Sequence, residues 1–485
     1  MEQYAVACAS GDGIGPEIMG AVQRILAAAK APLTWQDVEL GKAVYESGQS
    51  SGIAPEAWAT IRETKVLLKA PLTTPQGGGY KSVNVTLRKS LGLYANVRPC
   101  VAYAPFVTTR HPNLDMVIIR ENEEDLYAGI EHRQTDDVVQ CLKLISRPGC
   151  EKIVRYAFEY ARKNNRSKVT CMTKDNIMKL TDGLFRQIFE EISLEYLDIQ
   201  TEHMIIDIGA ARVADTPERF DVIVTTNLYG DILSDIAAQV AGSVGLAGSA
   251  NVGDHGALFE AIHGSAPDIA GKDCANPSGL LFAAVQMLVH LRLPEHATRI
   301  HNALLKTIED GIHTSDVFRA EISQEQVGTS AFAAAVIARL GQVPVTLPSV
   351  CYTELSEGEA SQVLLSPALP RHQSTKKLVG VDVFLHWRGT DPDELALRLQ
   401  KLGSAQLKLA MITNRGVKVW PGGMSETFCT DHWRLRFVPQ CDKPVWHGDI
   451  LALLAGLDMA GLDFIKMENL YEFDGVPGYA LAQGQ

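Results

Sequence analysis

The sequence predicts an α/β chain followed by a small ferredoxin-like α+β module. Three observations carry that prediction. Short apolar, β-branched runs such as 116–119 and 222–224 alternate with amphipathic helical patterns, as in sheets with helices packed on both faces. From Pro344 to Lys376 the chain turns rich in proline and serine, loses its period and reads as a linker. Beyond it, strand, helix, hairpin, strand, helix and strand patterns follow in ferredoxin-like order. A chain of 485 residues is long enough for two or three domains.

Composition narrows the function classes. A 46% hydrophobic and 21% charged chain has material for a large core. A net charge of -12 argues against general nucleic-acid binding. Nine cysteines without a CxxC pair suggest neither a zinc site nor a disulfide framework, so free thiols in a reducing compartment are expected. YAVACASGDGIGPE runs straight into a strand and turn, so no signal or transit peptide is expected. The longest apolar segment, 280–293, is short and carries Gln286, His290 and Arg292, so no membrane span is expected. A cytoplasmic protein follows as the expectation.

Each element has its own warrant. Residues 4–9 read as a strand and 16–29 as a helix. Between them lie Gly11, Gly13 and Gly15, but a dinucleotide fingerprint requires glycine where Pro16 stands. We therefore read a tight structural turn. Residues 66–70 read as a strand and 73–81, TTPQGGGYK, as a mobile loop. Ser82 stands at a helix start, a ready anion site, with Asn84 and Arg88 following and Arg98 after the helix. Arg88, Arg98 and Arg120 are three planar forks for carboxylates; surface ion pairs are the alternative. The strand 116–119 delivers Arg120 and Tyr127. Residues 136–146 read as extended and 151–163 as an amphipathic helix. Lys174 follows strand 169–173, as a tuned acid or base or as a loop cation. Asp207 ends strand 202–207.

After strand 222–224, a short loop with Gly230 leads into a helix beginning near Asp231. A helix places Asp231 and Asp235 on one face, one turn apart. They follow a strand's C-terminal end, where open α/β sheets hold ligands. Two hard oxygen donors suit Mg²⁺ or Mn²⁺, although first-turn acids also complement a helix dipole. Residues 257–277 read as a shaped loop. Helical patterns cover 277–293, 297–310 and 330–340. In the terminal module, strands are expected at 379–387, 407–412, 417–420, 433–438 and 463–471, with helices at 391–402 and 449–459. No catalytic cluster stands there.

Six segments together resemble one family. GDGIGPE, SVNVTLRK with LGLYANVRP, RENEEDLYAGIEH, TKDNIMKLTDG, NLYGDILSD and LFEAIHGSAPDIAGKDCANP occur in the order of the isocitrate and 3-isopropylmalate dehydrogenases, over residues 1 to about 344. The resemblance implies two domains flanking a cleft, distinct from a Rossmann fold. It divides the chain into 1–97 and 243–344 as a large domain and 98–242 as a small domain with a dimer-forming segment. A linker at 345–376 and a C-terminal association domain at 377–485 complete the division.

Carried over by motif, Ser82, Asn84, Arg88, Arg98 and Arg120 bind substrate carboxylates. Tyr127 and Lys174 are catalytic. Asp207, Asp231 and Asp235 hold the metal, Mg²⁺ or Mn²⁺, with Lys174 and Asp207 serving the neighbouring subunit's site. A homodimer or higher homo-oligomer is therefore implied. His263, Gly264, Ala266, Pro267, Asp268, Ile269 and Asn276 form the cofactor loop. The implied reaction is oxidative decarboxylation of D-isocitrate to 2-oxoglutarate and CO₂ with reduction of NAD⁺. Polar Ser82 and Asn84 favour a third carboxylate over an isopropyl group; homoisocitrate and 3-isopropylmalate are the alternative substrates. NAD⁺ is favoured because Asp268 and Ile269 stand where NADP-using bacterial members resemble one another in carrying lysine and tyrosine. Arg319 points the other way. The terminal module resembles the extension of one bacterial subgroup, where it serves association; a ligand-sensing module is the alternative.

Overall fold

The computed structural model describes residues 3–74, 81–353, 373–400, 402, 406–441 and 443–481. Most of the glycine-rich stretch 73–81 and most of the expected linker lie outside these residues. The chain divides into two units: residues 1–128 with 144–368, and residues 129–143 with 369–485.

In the first unit the apolar runs pair into one ten-stranded sheet. The expected parallel strand is Val222–Thr225, fully buried between Asp115–Glu121 and Lys168–Thr173 and parallel to both. Ala95–Val101 runs antiparallel to Asp115–Glu121 and to Gly248–Val252. Gly248–Val252 is in turn antiparallel to Ala257–Ala261. Past it, Val66–Lys69, Tyr4–Ala9 and Leu33–Asp37 continue in parallel. The register sets Arg120 beside Asn96 on one side and Thr225 on the other, so neighbouring strands deliver the site's polar groups together.

Four expectations need correction. The helix after Val222–Thr225 begins at Asn227, and Gly230 lies inside its first turns rather than in a loop. A Cβ at Gly230 would stand 2.5 Å from Arg120 Cγ, so glycine there admits the arginine stem, and its helix-breaking tendency is overridden. Asp207 does not end a strand; the strand is Gln200–Ile205, and Asp207 sits in the first turn of helix Ile206–Asp215. The start of the expected loop 257–277 is the buried strand Ala257–Ala261, because its apolar residues pair on both sides. Residues 136–146 form strand only at Val139–Cys141, which pairs with Glu131–Arg133.

The glycine turn behaves as expected. Gly11 and Gly13 have φ of 72° and 59°, and a Cβ at Gly13 would stand 2.0 Å from Ser265 O. Ile14 N–H donates to that same oxygen at 2.9 Å. The turn therefore braces the HGSAP loop, which only glycine permits at such a distance.

The second unit is ferredoxin-like. Its four main strands lie in the order Leu407–Asn414, His432–Pro439, Lys376–His386, Asp463–Phe473, every neighbouring pair antiparallel. Helices Pro392–Gln400 and His447–Met459 cover one face. Val383, Leu385, Trp433 and Leu435 pack there against Leu395, Leu399, Leu453 and Leu457. Segment 129–143 belongs to this unit: Thr135 Oγ1 and Asp136 N–H donate to Asp431 at 2.5 and 3.1 Å, and Arg388 pairs with Asp136 at 2.7 Å. No described helix is long and apolar enough to cross a membrane.

Candidate active site

Asp231 is the centre of the site. It accepts hydrogen bonds from Arg120 Nη1 and from Tyr127 OH, and Arg98 Nη1 lies 3.3 Å from its Oδ1. Tyr127 is held on the short 3-10 turn Leu126–Ala128, with its ring 4.9 Å from the Arg120 guanidinium. Burial works to raise the Asp231 pKa, but Arg120 and Arg98 outweigh it and leave the carboxyl below its ordinary value. Asp235, one turn on, lies 3.7 Å from Arg98. Its pKa is raised, by burial first and by the neighbouring Asp231 charge, with Arg98 opposing. The two carboxylates thus share one cation-lined face, as the helical spacing required.

The arginines are aimed by buried polar partners. Asn227 Oδ1 accepts from Arg120 Nε and Nη2 at 3.0 and 2.7 Å. Burial first, and then the Arg98 charge, lower the Arg120 pKa to about 10. Arg98 donates to Asn96 Oδ1 at 2.6 Å and to Ser234 Oγ at 2.5 Å. From Asn96 a chain continues across the sheet: Asn96 donates to Asn251, Asn251 to Glu260, and Glu260 pairs with both Arg88 at 2.8 Å and Lys69 at 2.7 Å. Every link is buried. Burial raises the Glu260 pKa, but Lys69 and Arg88 dominate and hold it far below the ordinary range. One hydrogen-bond network therefore orients Arg88 and Arg98 together.

Ser82 caps helix Val83–Ser90 in position but makes no side-chain cap hydrogen bond; Thr74 Oγ1 donates to its hydroxyl at 3.3 Å. Asn84 Oδ1 and Arg88 Nε are buried without hydrogen-bond partners among the described residues. Unpaired buried polar atoms beside an arginine cluster are what a polar ligand would satisfy.

Lys174 and Asp207 form a separate group. Lys174 Nζ donates to Asp207, and among the described residues no ion pair joins either to Asp231 or Asp235. The hydrogen bond from Lys174 holds the Asp207 carboxyl below its ordinary pKa.

In the HGSAP loop, His263 Nδ1 lies 3.1 Å from Gly264 O, and its Nε2 is buried without a partner among the described residues. Burial pushes the His263 pKa down. Ala266 holds φ at 38° and opens the turn Pro267–Ile269, where Asp268 and Ile269 are exposed. Asn276 donates to Asp316 at 3.0 Å. Arg319 is exposed and donates to Phe318 O at 2.6 Å.

With this geometry in place, the comparisons decide the family. The model of the isocitrate/isopropylmalate dehydrogenases matches residues 5–336. The chain belongs to that family. The model of the bacterial isocitrate dehydrogenase C-terminal domain matches residues 376–485. The chain is 54% identical over 480 residues to a Rickettsia felis protein named isocitrate dehydrogenase [NADP], covering 99% of each. It is 48% identical over 302 residues to the bovine mitochondrial isocitrate dehydrogenase [NAD] subunit alpha, covering 62% of this chain and 82% of that one. The crystal structure of TT0538 protein from Thermus thermophilus superposes with a TM-score of 0.91 at 43% identity, over 100% of this chain and 96% of that one. Both matched segments of this family member therefore align with isocitrate dehydrogenases.

The sequence reading missed Lys69, Asn96, Asn227, Ser234, Asn251 and Glu260. A polar residue inside an apolar strand was the available signal for several: Lys69 ends VLLK and Glu260 interrupts ALFEA.

Proposed function

We propose that the chain catalyses oxidative decarboxylation of D-isocitrate, with NAD⁺ and Mg²⁺ or Mn²⁺, as a homodimer or higher homo-oligomer. The observation that carries this reading is the convergence of Arg98 and Arg120 on a paired-carboxylate face beside Tyr127, with Arg88 tied to Arg98 through the buried Glu260–Asn251–Asn96 network. Three guanidinium forks suit a tricarboxylate. The unpaired Asn84 amide oxygen and the neighbouring Ser82 favour a polar substrate arm over an isopropyl group.

Asp231 and Asp235 offer hard oxygen donors one helical turn apart, and they fit a divalent cation. When bound, that cation polarises the substrate's C2 oxygen and stabilises charge developing on it. A nicotinamide held at the HGSAP loop by residues such as His263 and Asn276 would supply the acceptor for the C2 hydride. The chain's own residues do the rest. Arg88, Arg98 and Arg120 hold the carboxylates and fix which one leaves as CO₂. In this reading Tyr127 hands a proton to C3; its hydrogen bond to Asp231 and its phenol pKa, raised by burial, support that role. In this reading Lys174 and Asp207 serve the partner subunit's site. Residues 98–242 carry the dimer-forming segment, and the module from about 377 onward serves association.

Support for NAD⁺ comes from exposed Asp268 and Ile269 at the cofactor loop, since a carboxylate there repels a 2′-phosphate and accepts from ribose hydroxyls. NADP⁺ is the second reading, favoured by exposed Arg319 and by the name of the full-length Rickettsia relative. Steady-state assay of D-isocitrate with each cofactor and Mg²⁺ tests both. A higher kcat/KM for NAD⁺, shifted about tenfold or more toward NADP⁺ by Asp268→Lys with Ile269→Tyr, is the expected result. Wild-type preference for NADP⁺ overturns the NAD⁺ reading, and no turnover with either overturns the substrate.

A further inference from the structure

The first motif of the chain, GDGIGPE, ends in an acid that the site described above leaves unused. Glu17 stands in the first turn of helix Gly15–Ala28, where a carboxylate ordinarily does no more than complement the helix dipole. Here it reaches a segment 256 residues further along the chain. Asp273 N–H and Ala275 N–H donate to its two oxygens, at 3.2 and 3.1 Å. The Thr329 hydroxyl donates to the same carboxylate and stands 2.7 Å from Ala275 O.

Asp273–Ala275 is gripped from a second helix as well. Thr329 N–H donates to Asp273 O at 3.2 Å and Ser330 N–H to Asp273 Oδ1 at 2.8 Å, both from the start of helix Thr329–Ala338. The approach is close: a Cβ at Gly328 would stand 2.2 Å from Asp273 O. Asp273 itself holds φ at 51°, so the stretch follows no regular element and takes its path from these contacts. The next residue but one after Cys274 is Asn276, whose side chain is fixed at both ends. Its Nδ2 donates to Asp316 at 3.0 Å, and its Oδ1 accepts from Ser278 N–H at 3.0 Å. Ala275 and Asn276 are buried, while Asp268 and Ile269 earlier in the loop are exposed. One helix start therefore holds the loop at two points, at Ser265 through Ile14 N–H and at Asp273–Ala275 through Glu17. A carboxylate suits the second hold, because both of its oxygens accept; an amide would turn an N–H₂ toward one of the peptide donors.

We propose that Glu17 is a positioning residue for the dinucleotide: it touches no ligand itself, and it sets the backbone path that places Asn276 against the cofactor. This role rests on the cofactor-loop reading above. Loss of a partner for either loop amide lets Asp273–Ala275 shift, and the cost falls on cofactor binding. The Asp231 cluster shares no hydrogen bond with Glu17 among the described residues and keeps its geometry.

Titration of the full chain with NADH and with NADPH, followed by nicotinamide fluorescence, tests it. In Glu17→Gln, Kd for the dinucleotide that the wild type binds tighter should rise about tenfold. Thr329→Val removes only the hydroxyl and should raise the same Kd about threefold, and it decides the matter if Glu17→Gln fails to fold. In steady state, KM for the cofactor should follow Kd, while KM for D-isocitrate and kcat stay within about twofold of wild type. A residue that merely braces the fold would move both KM values or neither. Unchanged cofactor Kd in the folded variants, or a KM for isocitrate raised as much as that for the cofactor, overturns the proposal. Binding of neither dinucleotide by the wild type overturns the cofactor-loop reading and this role with it. The Kd shift without turnover of D-isocitrate supports this role and overturns the substrate reading alone.

Discussion

Two acid–base pairs in the first unit are built from similar residues and held in opposite ways. Asp231 is fixed by Arg120, Tyr127 and Arg98, and Arg120 is itself clamped by Asn227. Among the described residues the Lys174 and Asp207 side chains form an ion pair only with each other, with the Asp207 side chain 63% exposed. The first arrangement is held by several contacts at once. The second is a lone ion pair in solvent, which screening weakens and which can exchange partners at little cost. That freedom is what the proposed role of Lys174 and Asp207 in a partner's site requires, and the proposed role of Asp231 within its own chain requires the opposite.

Breaking the fixed pair should have the largest effect. Asp231→Asn removes a charge that Arg120, Arg98 and Tyr127 all address, and kcat with isocitrate and Mg²⁺ should fall by about 10³-fold or more, with circular dichroism unchanged. Turnover within tenfold of wild type at any Mg²⁺ concentration would remove Asp231 from metal binding.

The exchangeable pair can be tested by complementation. Inactive Lys174→Ala chains mixed with inactive Asp231→Asn chains should recover roughly a quarter of wild-type activity, because half the dimers are mixed and each holds one complete site. No recovery in verified mixed dimers means that both residues act within their own chain.

A third variant probes the buried network that aims the substrate arginines. Glu260→Gln leaves Lys69 and Arg88 buried without their counter-charge and should destabilise the fold by about 3 kcal/mol. KM for isocitrate should rise as Arg88 loses its anchor. Adding Lys69→Met removes the surplus cation and should recover part of the stability, as read by urea denaturation. Unchanged stability in Glu260→Gln would show that the triad is not the anchor its geometry describes.

The smallest effect is confined to a pH window. Glu121, next to Arg120 in sequence, is buried, and burial raises its pKa to about 7, with the charges of Glu124 and Asp125 adding to it. A carboxyl whose folded pKa exceeds its unfolded value favours folding when protonated. Its contribution is therefore full below the unfolded value of about 4.3 and declines as pH rises through 7. Glu121→Gln should flatten that decline, so its urea midpoint falls less between pH 5 and pH 8 than the wild type's. Parallel slopes would mean that Glu121 ionises freely in the folded chain.

Read along the chain, local patterns determined a good deal. Period and β-branching placed Val222–Thr225 as a buried parallel strand and set Asp231 and Asp235 on one helix face. The spacing of turns and strands also predicted the ferredoxin-like order of the terminal module, and the missing fingerprint glycine identified the Gly11–Gly13 turn as structural. These features depend on neighbours a few residues apart, which a one-dimensional pattern records. What aims the site does not. Arg120 meets Asn227 across a sequence separation of 107, and Arg88 meets Glu260 across 172. The helix start at Asn227 was misplaced because Gly230 reads as a breaker until Arg120 is seen packed against it. Asn96, Asn251 and Lys69 look like lone polar residues in apolar strands, and only the sheet order joins them into one network. Segment 129–143 gives no local sign that it packs with strands nearly three hundred residues later; Thr135 and Asp431 are separated by 296. Burial makes each of these contacts obligatory, and burial is a property of the folded chain rather than of any stretch of it.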